Sequence, residues 1–241
     1  MKLSTMAKSS LALGILTTGL IATHAQSAHA ESKNPTGQVQ TAKQNEDAAF
    51  MKVKNYYKNG YTELYNVNAY KAPKRENVVV VRQNGRVNAI KLKGADKRHY
   101  NDKLIGVDVF VVNENNPKSK IVKTVGGITR TNNGPYYDYV ANPKLKASKT
   151  IGGVKTEFDA FPYFINKEQV SLKELDFKIR KVLTDKFNLY ENGLSKGKIR
   201  IIMNSGQPKD YYTFQLNRIL EERRMGDVID PKKIKEIQVE L

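Results

Sequence analysis

Apolar residues between positions 171 and 190 recur every three or four positions, the spacing of an α-helix. This pattern predicts one long amphipathic helix with a packed face and a solvated face. Ser171 followed by Glu174 predicts a capping box, in which each side chain satisfies a backbone N–H at the helix start. Asp176 and Arg180 are four residues apart, and we expect a pair worth roughly 0.2–0.5 kcal/mol between them. The packed face comprises Leu172, Leu175, Ile179, Val182 and Leu183, and the solvated face Lys173, Lys178, Lys181 and Asp185.

The rest of the chain mostly alternates between apolar and polar residues, which predicts strands. Asn84-Gly85 separates two such runs and predicts a tight hairpin turn, because both residues tolerate positive φ. Helical spacing appears once more, in a short first helix over 47–57 that ends near Asn59-Gly60. Predicted strands cover 61–70, 77–82, 86–93, 107–112 and 119–129 in the first half and 158–165, 198–204, 210–217 and 234–241 in the second.

The short strands of the first half, together with one small helix, predict a five-stranded Greek-key barrel of the oligonucleotide/oligosaccharide-binding (OB) type. Alternation alone would also permit a sandwich. In the second half one long helix is set against several strands. A Lys- and Gly-containing passage over 142–153 is interpreted as the junction between two domains. The predicted fold class is therefore α+β, mostly β.

The first thirty residues are interpreted as a secretory signal and set aside from the fold. Lys2 and Lys8 precede an apolar run over 11–22, and Ala28-His29-Ala30 forms a small-x-small cleavage site. About a dozen apolar residues fall short of the ~20 that a spanning helix needs, so we expect a secreted protein with no membrane insertion. The polar residues 31–46 are predicted to form a flexible leader.

The chain is strongly basic, with 41 Lys and Arg residues against 24 Asp and Glu, a net charge of +17, and it has no cysteine. Removal of the signal takes away two lysines and leaves a charge of +15. Such a charge predicts acidic partners. The basic residues are spread along the chain without the compact stripe typical of duplex binding, so sialylated or sulfated glycans are favoured over nucleic acid.

The residues needed for most catalytic and metal sites are missing from the mature sequence. His99 is its only histidine, and without cysteine a Ser-His, Cys-His or multi-histidine metal site cannot be assembled. Acidic residues are plentiful, but no pair stands out for two-carboxylate catalysis. We therefore predict no enzyme activity, no metal and no cofactor.

A candidate binding site accompanies the predicted strand 210–217. Period two places its aromatic and aliphatic residues on one face, against the helix, and its hydroxyl and amide residues on the other. A sialic acid presents one carboxylate and several hydroxyls, so arginine can bind the carboxylate while Thr, Asn and Gln read the hydroxyls. An ordinary solvated strand face is the alternative. The inward residues are Tyr212, Phe214 and Leu216, the outward residues Tyr211, Thr213, Gln215 and Asn217, and the arginines Arg218, Arg223 and Arg224.

The helix and its surroundings resemble the staphylococcal and streptococcal pyrogenic toxins, or superantigens. That family's motif has a Lys, an apolar residue, an apolar-Asp pair, Arg, Leu and an apolar-Tyr pair at fixed spacings. Segment 171–177 is most similar to the secreted superantigen-like, or exotoxin-like, branch. Segment 124–129 is similar to the family's second signature, with Val125 where Tyr is frequent. The motif positions are filled by Lys167, Val170, Leu175, Asp176, Arg180, Leu183, Leu189 and Tyr190.

The resemblance implies an OB-fold domain over 47–145 and a C-terminal β-grasp domain, with its one long helix, over 146–241. Superantigens that bind MHC class II through zinc use a His/Asp cluster at the C-terminal sheet, and the C-terminal half of this chain has no histidine. That binding mode is therefore excluded for this chain.

Segment 211–227 is similar to the sialyl-glycan-binding stretch of the superantigen-like subgroup that recognises sialyl Lewis X-type glycans. The positions that match are Thr213, Asn217, Arg218 and Arg224, while Gln215 stands where Glu is expected and so keeps an acceptor but loses a charge. The resemblance implies a non-enzymatic immune-evasion lectin that binds sialylated host glycoproteins on myeloid cells. The alternative is a binder of an immunoglobulin, complement component or immune receptor without glycan dependence. The sequence permits a homodimer.

Overall fold

A computed structural model describes residues 35–73, 75–100, 103–114, 119–191, 193 and 196–241. The predicted signal over 1–30 lies outside these residues. Within them, no helix is long and apolar enough to cross a membrane. The same residues contain no group of three or more His, Cys, Asp or Glu side chains placed to hold a metal ion.

The first element is a helix, α1 (Pro35–Lys58), which is much longer than the short helix predicted over 47–57. Residues 35–46, predicted as part of a flexible leader, lie in this helix. Proline is well tolerated in the first turn of a helix, and the Gln, Ala, Lys and Glu residues that follow it are good helix formers. Val53 and Tyr57 from the second half of α1 are buried in the larger core cluster, which consists mostly of C-terminal-domain residues and also includes Phe110, Val112 and Val125 of the barrel.

After α1, the described residues of the N-terminal domain form one short helix and six strands. They are β1 (Tyr61–Lys71), β2 (Val78–Gln83), β3 (Arg86–Lys91), α2 (Asp96–His99), β4 (Lys103–Val112), β5 (Ile121–Val125) and β6 (Ile128–Arg130). The single strand predicted over 119–129 is two strands, because Gly126 and Gly127 both adopt positive φ between them. Asn84 and Gly85 also have positive φ, which confirms the predicted hairpin turn.

The six strands form a sheet in the order β5-β3-β2-β1-β4-β6. β5 and β6 are consecutive in sequence but lie at opposite ends of this order, so the sheet curls until its edges meet. The Glu114 N–H donates to the Lys123 carbonyl at 3.4 Å, and the Phe110 N–H donates to the Gly127 carbonyl at 2.8 Å, where the two edges close. This closure gives the predicted OB barrel, with six strands where five were expected, because the strand predicted over 119–129 is divided into β5 and β6.

The C-terminal domain sets one long helix against a six-stranded sheet, in which five strands follow the order β12-β11-β14-β7-β8 and β9 pairs with β7 off this path. Its elements are β7 (Lys144–Ile151), β8 (Val154–Glu157), β9 (Phe161–Pro162), β10 (Val170–Ser171), α3 (Leu172–Phe187), β11 (Lys198–Met203), β12 (Tyr211–Gln215), β13 (Val228–Ile229) and β14 (Ile234–Glu240), with 3₁₀ helices at Glu222–Arg224 and Pro231–Lys233. β7 runs parallel to β14, whereas β11 is antiparallel to both of its neighbours. This arrangement is the expected β-grasp fold.

Two predictions in this domain are wrong. Most of 142–153, interpreted as a domain junction, is strand β7, whose Leu145 and Ala147 alternate into the core. The strand predicted over 158–165 is reduced to the two residues of β9, which pair with β7. Pro162 has no N–H to donate, so it cannot extend a strand ladder.

The charged side of α3 is mostly buried, which corrects the prediction of a solvated face. Lys173 crosses into the barrel, where its Nζ donates to the Val125 carbonyl at 2.8 Å, and Lys178 pairs with Glu63 of β1 at 2.7 Å. α3 therefore lies between the sheet and the barrel, and both of its long sides are covered. Only the last turns match the expected exposure, at Lys181 and Asp185.

Of the capping box predicted at the start of α3, the Ser171 half is present. The Ser171 hydroxyl accepts from the Glu174 N–H at 3.1 Å, as an N-cap does. The Glu174 carboxylate, however, is engaged by two lysines, Lys167 at 3.0 Å and Lys178 at 2.8 Å. Glu174 is therefore a buried carboxylate that pairs with two lysines between the domains.

Candidate functional site

The predicted binding strand is shorter than its sequence pattern indicates. β12 ends at Gln215, and the chain turns at Leu216 and Asn217. Phe214 and Leu216 are buried as predicted. Asn217 is exposed, but it lies in the turn and does not continue the outward row of the strand.

A buried arginine of α3 explains why the strand ends there. The Arg180 guanidinium donates to the carbonyls of Gln215 at 2.8 Å, Leu216 at 3.0 Å and Arg218 at 3.1 Å. These carbonyls must therefore converge on one point, which an extended strand cannot allow because its successive carbonyls point in opposite directions. Arg180 thus fixes the turn that carries Asn217 and Arg218.

Arg180 is itself held by groups from three parts of the chain. Its Nε pairs with Asp176 at 2.8 Å, and its guanidinium stacks over the Tyr57 ring of α1 with 4.2 Å to the centroid. The Tyr57 hydroxyl donates to Asp176 and accepts from the Leu220 N–H, while Tyr190 also bonds to Arg180. Burial raises the pKa of Asp176, and the Arg180 charge opposes that rise. The turn therefore rests on a buried polar network.

Thr213 and Gln215 face outward from β12, with two basic residues beside them. Arg200 of β11 lies opposite Thr213, and Lys198 lies opposite Gln215, so all four side chains share one face of the sheet. Both basic residues also pair with Glu240, Lys198 at 3.0 Å and Arg200 at 3.6 Å. Sequence reasoning missed Lys198 and Arg200; their alternation with Ile199 and Ile201 was the available signal.

Arg224 and Arg218 meet at one carboxylate, that of Glu221. Arg224 donates to the Thr213 carbonyl at 2.9 Å and to Glu221 at 3.1 Å, and Arg218 pairs with Glu221 at 3.4 Å. Burial alone would raise the pKa of Glu221, but hydrogen bonds from its own N–H and from Arg224, with both arginine charges, lower it. Glu221 is therefore ionised at neutral pH, and these three side chains carry a net charge of +1.

The barrel is in close backbone contact with the segment around the 3₁₀ helix that carries Arg224. The Gly127 N–H donates to the Met225 carbonyl at 3.1 Å. A Cβ added at Gly126 would lie 2.6 Å from the Met225 carbonyl carbon, and one at Gly94 would lie 1.9 Å from the Arg223 carbonyl oxygen. Glycines at these positions allow the two backbones to approach closely. The candidate site is therefore supported by α3 and by the N-terminal domain.

The structure thus brings most of the predicted site residues into one surface region. Thr213 contacts Arg224 directly, and Glu221 links Arg224 to Arg218. Gln215 is on the same strand face as Thr213, and Asn217 stands in the adjoining turn. The residues that sequence reasoning did not include are Lys198, Arg200, Glu221 and the supporting Arg180.

Comparison with known proteins identifies both domains. Residues 51–132 match the staphylococcal superantigen-like OB-fold domain, and residues 144–241 match the staphylococcal/streptococcal toxin β-grasp domain. Superantigen-like protein 11 of Staphylococcus aureus (strain Newman) is 41% identical over 249 residues, and staphylococcal superantigen-like 5 of the same strain is 35% identical over 255, each alignment covering 100% of both chains.

Solved structures agree in fold with these matches. The crystal structure of the staphylococcal superantigen-like protein SSL5, complexed with sialyl Lewis X, has a TM-score of 0.72 at 34% identity. It covers 80% of this chain and 99% of that chain. The structure of staphylococcal superantigen-like protein 3 has a TM-score of 0.70 at 35% identity and covers 79% and 98%.

Proposed function

Since the chain belongs to the staphylococcal superantigen-like family, we propose that it is a secreted, non-enzymatic immune-evasion protein. In this proposal it binds sialylated glycans of the sialyl Lewis X type on host leukocyte glycoproteins. The binding surface is the outer face and end of β12 in the β-grasp domain. The complex of a structural neighbour with sialyl Lewis X supports the choice of ligand class.

The observation that carries the proposal is the arrangement of Arg218, Glu221 and Arg224 beside Thr213. The net charge of +1 complements the single carboxylate of a sialic acid. Arg218 is 62% exposed at its side chain and is paired only at the protein surface, so its guanidinium can turn to a ligand at little cost. Thr213 and Gln215 supply a hydroxyl and an amide for the sugar hydroxyls.

Gln215 shapes the proposed specificity. A glutamate there would add a second negative charge to the surface that carries Glu221 and, in this proposal, receives the ligand carboxylate. The neutral amide accepts a hydrogen bond without that repulsion, and it can also donate. Lys198, directly opposite on β11, adds a cation to the same face. We therefore expect the surface to accept glycans with more than one anionic group.

Titration calorimetry with sialyllactosamine tests this site through three variants. Arg224→Lys keeps the charge but loses the planar fork that contacts Thr213 and Glu221, and we expect binding at least tenfold weaker. Thr213→Pro, which also distorts the strand, should abolish binding. Arg223→Lys changes a neighbouring exposed arginine on the same 3₁₀ helix and should leave affinity within twofold. Equal losses in the Arg223 and Arg224 variants would argue against the assigned site.

A second candidate function is binding of a host immune protein at a sheet edge. β8 lies at the end of the C-terminal sheet, and all four of its residues are exposed, including Val154 at 69%. An exposed strand edge can pair with a strand of another protein. Such binding would survive sialidase treatment of the partner, whereas glycan binding would be lost.

A further inference from the structure

The N-terminal domain has a basic pocket that the proposed glycan site does not use. It lies on the outer side of the barrel, over β2, β3 and β5, and has a volume of about 460 Å³. Its floor includes the apolar residues Val78, Ala89 and Leu92. Five basic side chains line it from four different parts of the chain: Arg75, Lys91, Lys93, Lys97 and Lys123.

The basic residues are available to a ligand. Arg75, Lys97 and Lys123 are exposed. Lys91 pairs with Glu222 at 3.3 Å, but both side chains are about half exposed, at 50% and 52%, and such surface pairs contribute little. The lining has two other acidic residues: Glu76 is exposed, and Glu114 lies against the buried Lys173 at 3.5 Å. The five basic side chains therefore still outnumber the three carboxylates of the lining.

The rim of the pocket is held in place by backbone hydrogen bonds. The Ala72 N–H donates to the Val78 carbonyl at 2.8 Å, and the Leu92 N–H donates to the Asn77 carbonyl at 2.7 Å. Asn77 adopts a positive φ, which sharpens the turn into β2. A pre-shaped rim lowers the entropy lost when a ligand binds.

We propose that this pocket binds the sulfate groups of a sulfated glycan. A cluster of flexible cations around a concave, partly apolar floor matches a chain of sugar rings that carries closely spaced anionic oxygens. Sites for single-stranded nucleic acid add aromatic rings on which bases stack. The described residues that line this pocket include no aromatic ring, so a sulfated glycan fits the lining better than an oligonucleotide.

The site is separate from the proposed sialyl-glycan surface. Glu222, in the pocket lining, is two residues from Arg224, but it points to Lys91 of the barrel whereas Arg224 contacts Thr213 of β12. Apart from Glu222, the pocket is lined by residues of the N-terminal domain, and none of its basic residues belongs to the sialyl-glycan surface, so the two can be tested independently.

The test measures binding of a size-defined heparin hexasaccharide to the purified mature protein by calorimetry. We expect the fully desulfated hexasaccharide to bind at least tenfold more weakly. The triple variant Arg75→Gln, Lys97→Gln and Lys123→Gln should lose at least tenfold in heparin affinity and keep its affinity for sialyllactosamine. A matched control, Lys149→Gln, Lys181→Gln and Lys235→Gln, removes the same charge from exposed positions outside the pocket and should stay within threefold.

Three results would overturn the proposal. The first is the absence of heparin binding by the unaltered protein. The second is an equal loss in the pocket and control variants, which would mean attraction by net charge alone. The third is tighter binding of a single-stranded oligothymidylate of similar charge, with the same sensitivity to the pocket variant, which would make the pocket a nucleic-acid site.

Discussion

At the scale of single residues, Arg180 shows what a sequence pattern can and cannot give. Its spacing from Asp176 predicted their pairing, and the 2.8 Å contact confirms it. The pattern predicted only a weak pair within the helix, whereas Arg180 is fully buried and bonds to three carbonyls of the turn after β12. Those partners lie 35 to 38 residues along the chain. Helical periodicity describes neighbours on one helix and carries no information on such partners.

Arg180→Lys should therefore lower the free energy of unfolding by at least about 2 kcal/mol. A lysine ammonium cannot donate hydrogen bonds to three carbonyls and a carboxylate at once, so buried acceptors lose their donors. Urea unfolding measures this loss. Under conditions in which the variant remains folded, sialyllactosamine binding should also weaken, because the turn that carries Arg218 is released. Lys181→Ala, at an exposed position one residue away, should change stability by less than about 0.5 kcal/mol. Similar losses in both variants would contradict this role.

At the scale of elements, strands and the long helix were predictable, but their ends and their contacts were less so. The alternation that predicted a strand over 210–217 continued past the true end of β12. The polar composition of 31–46 gave no indication of helix α1, which begins at Pro35. Both errors come from local patterns whose outcome depends on propensity or on distant partners. The Gly126-Gly127 pair divides a predicted strand because the barrel closes there against the 3₁₀ helix of the other domain.

Gly126→Ala tests that contact between elements. Gly126 and Gly85 both have positive φ, at 57° and 71°, so alanine is strained at either position. An added Cβ meets Met225 backbone atoms at Gly126 but nothing within 4 Å at Gly85. We expect Gly126→Ala to cost at least about 1 kcal/mol more than Gly85→Ala in urea unfolding, and to weaken glycan binding as well. Equal costs would mean that the two backbones do not constrain each other.

At the scale of the whole molecule, the two domains share buried charges. Lys173 reaches from α3 into the barrel, and burial lowers its pKa to about 8. Asp96 of the barrel lies under Gly226 of the C-terminal domain, and within the described residues neither carboxylate oxygen has a hydrogen-bond partner. Burial, followed by the charge of Asp227, raises the pKa of Asp96 to about 7, while Lys173 opposes that rise. Nothing in the sequence marks these contacts, because they exist only once both domains are assembled.

The raised pKa of Asp96 predicts a pH dependence of stability. Between about pH 4 and pH 7 the folded protein holds a proton on Asp96 that the unfolded chain, with an ordinary aspartate pKa near 3.9, has released. This residue's contribution to stability is therefore present at the acidic end and falls as pH rises through the window. A rise in the pKa of Asp96 from about 3.9 to about 7 limits the change in unfolding free energy over this window to roughly 4 kcal/mol.

Asp96→Asn, which cannot titrate, isolates this contribution from the other carboxylates. The difference in unfolding free energy between the unaltered protein and Asp96→Asn should move in favour of the variant as pH rises from about 5 to about 7.5. Urea unfolding at four pH values in that range measures it. Parallel profiles for the two proteins would show that Asp96 titrates normally.

The central claim is that the β-grasp surface at Thr213, Arg218 and Arg224 binds sialylated glycans on leukocytes. The most direct measurement is binding of the purified protein to neutrophils before and after sialidase treatment, with the Arg224→Lys and Arg223→Lys variants in parallel. We predict that sialidase removes most of the binding, that Arg224→Lys resembles sialidase treatment, and that Arg223→Lys binds normally. Undiminished binding to sialidase-treated cells would contradict the account and favour a protein partner.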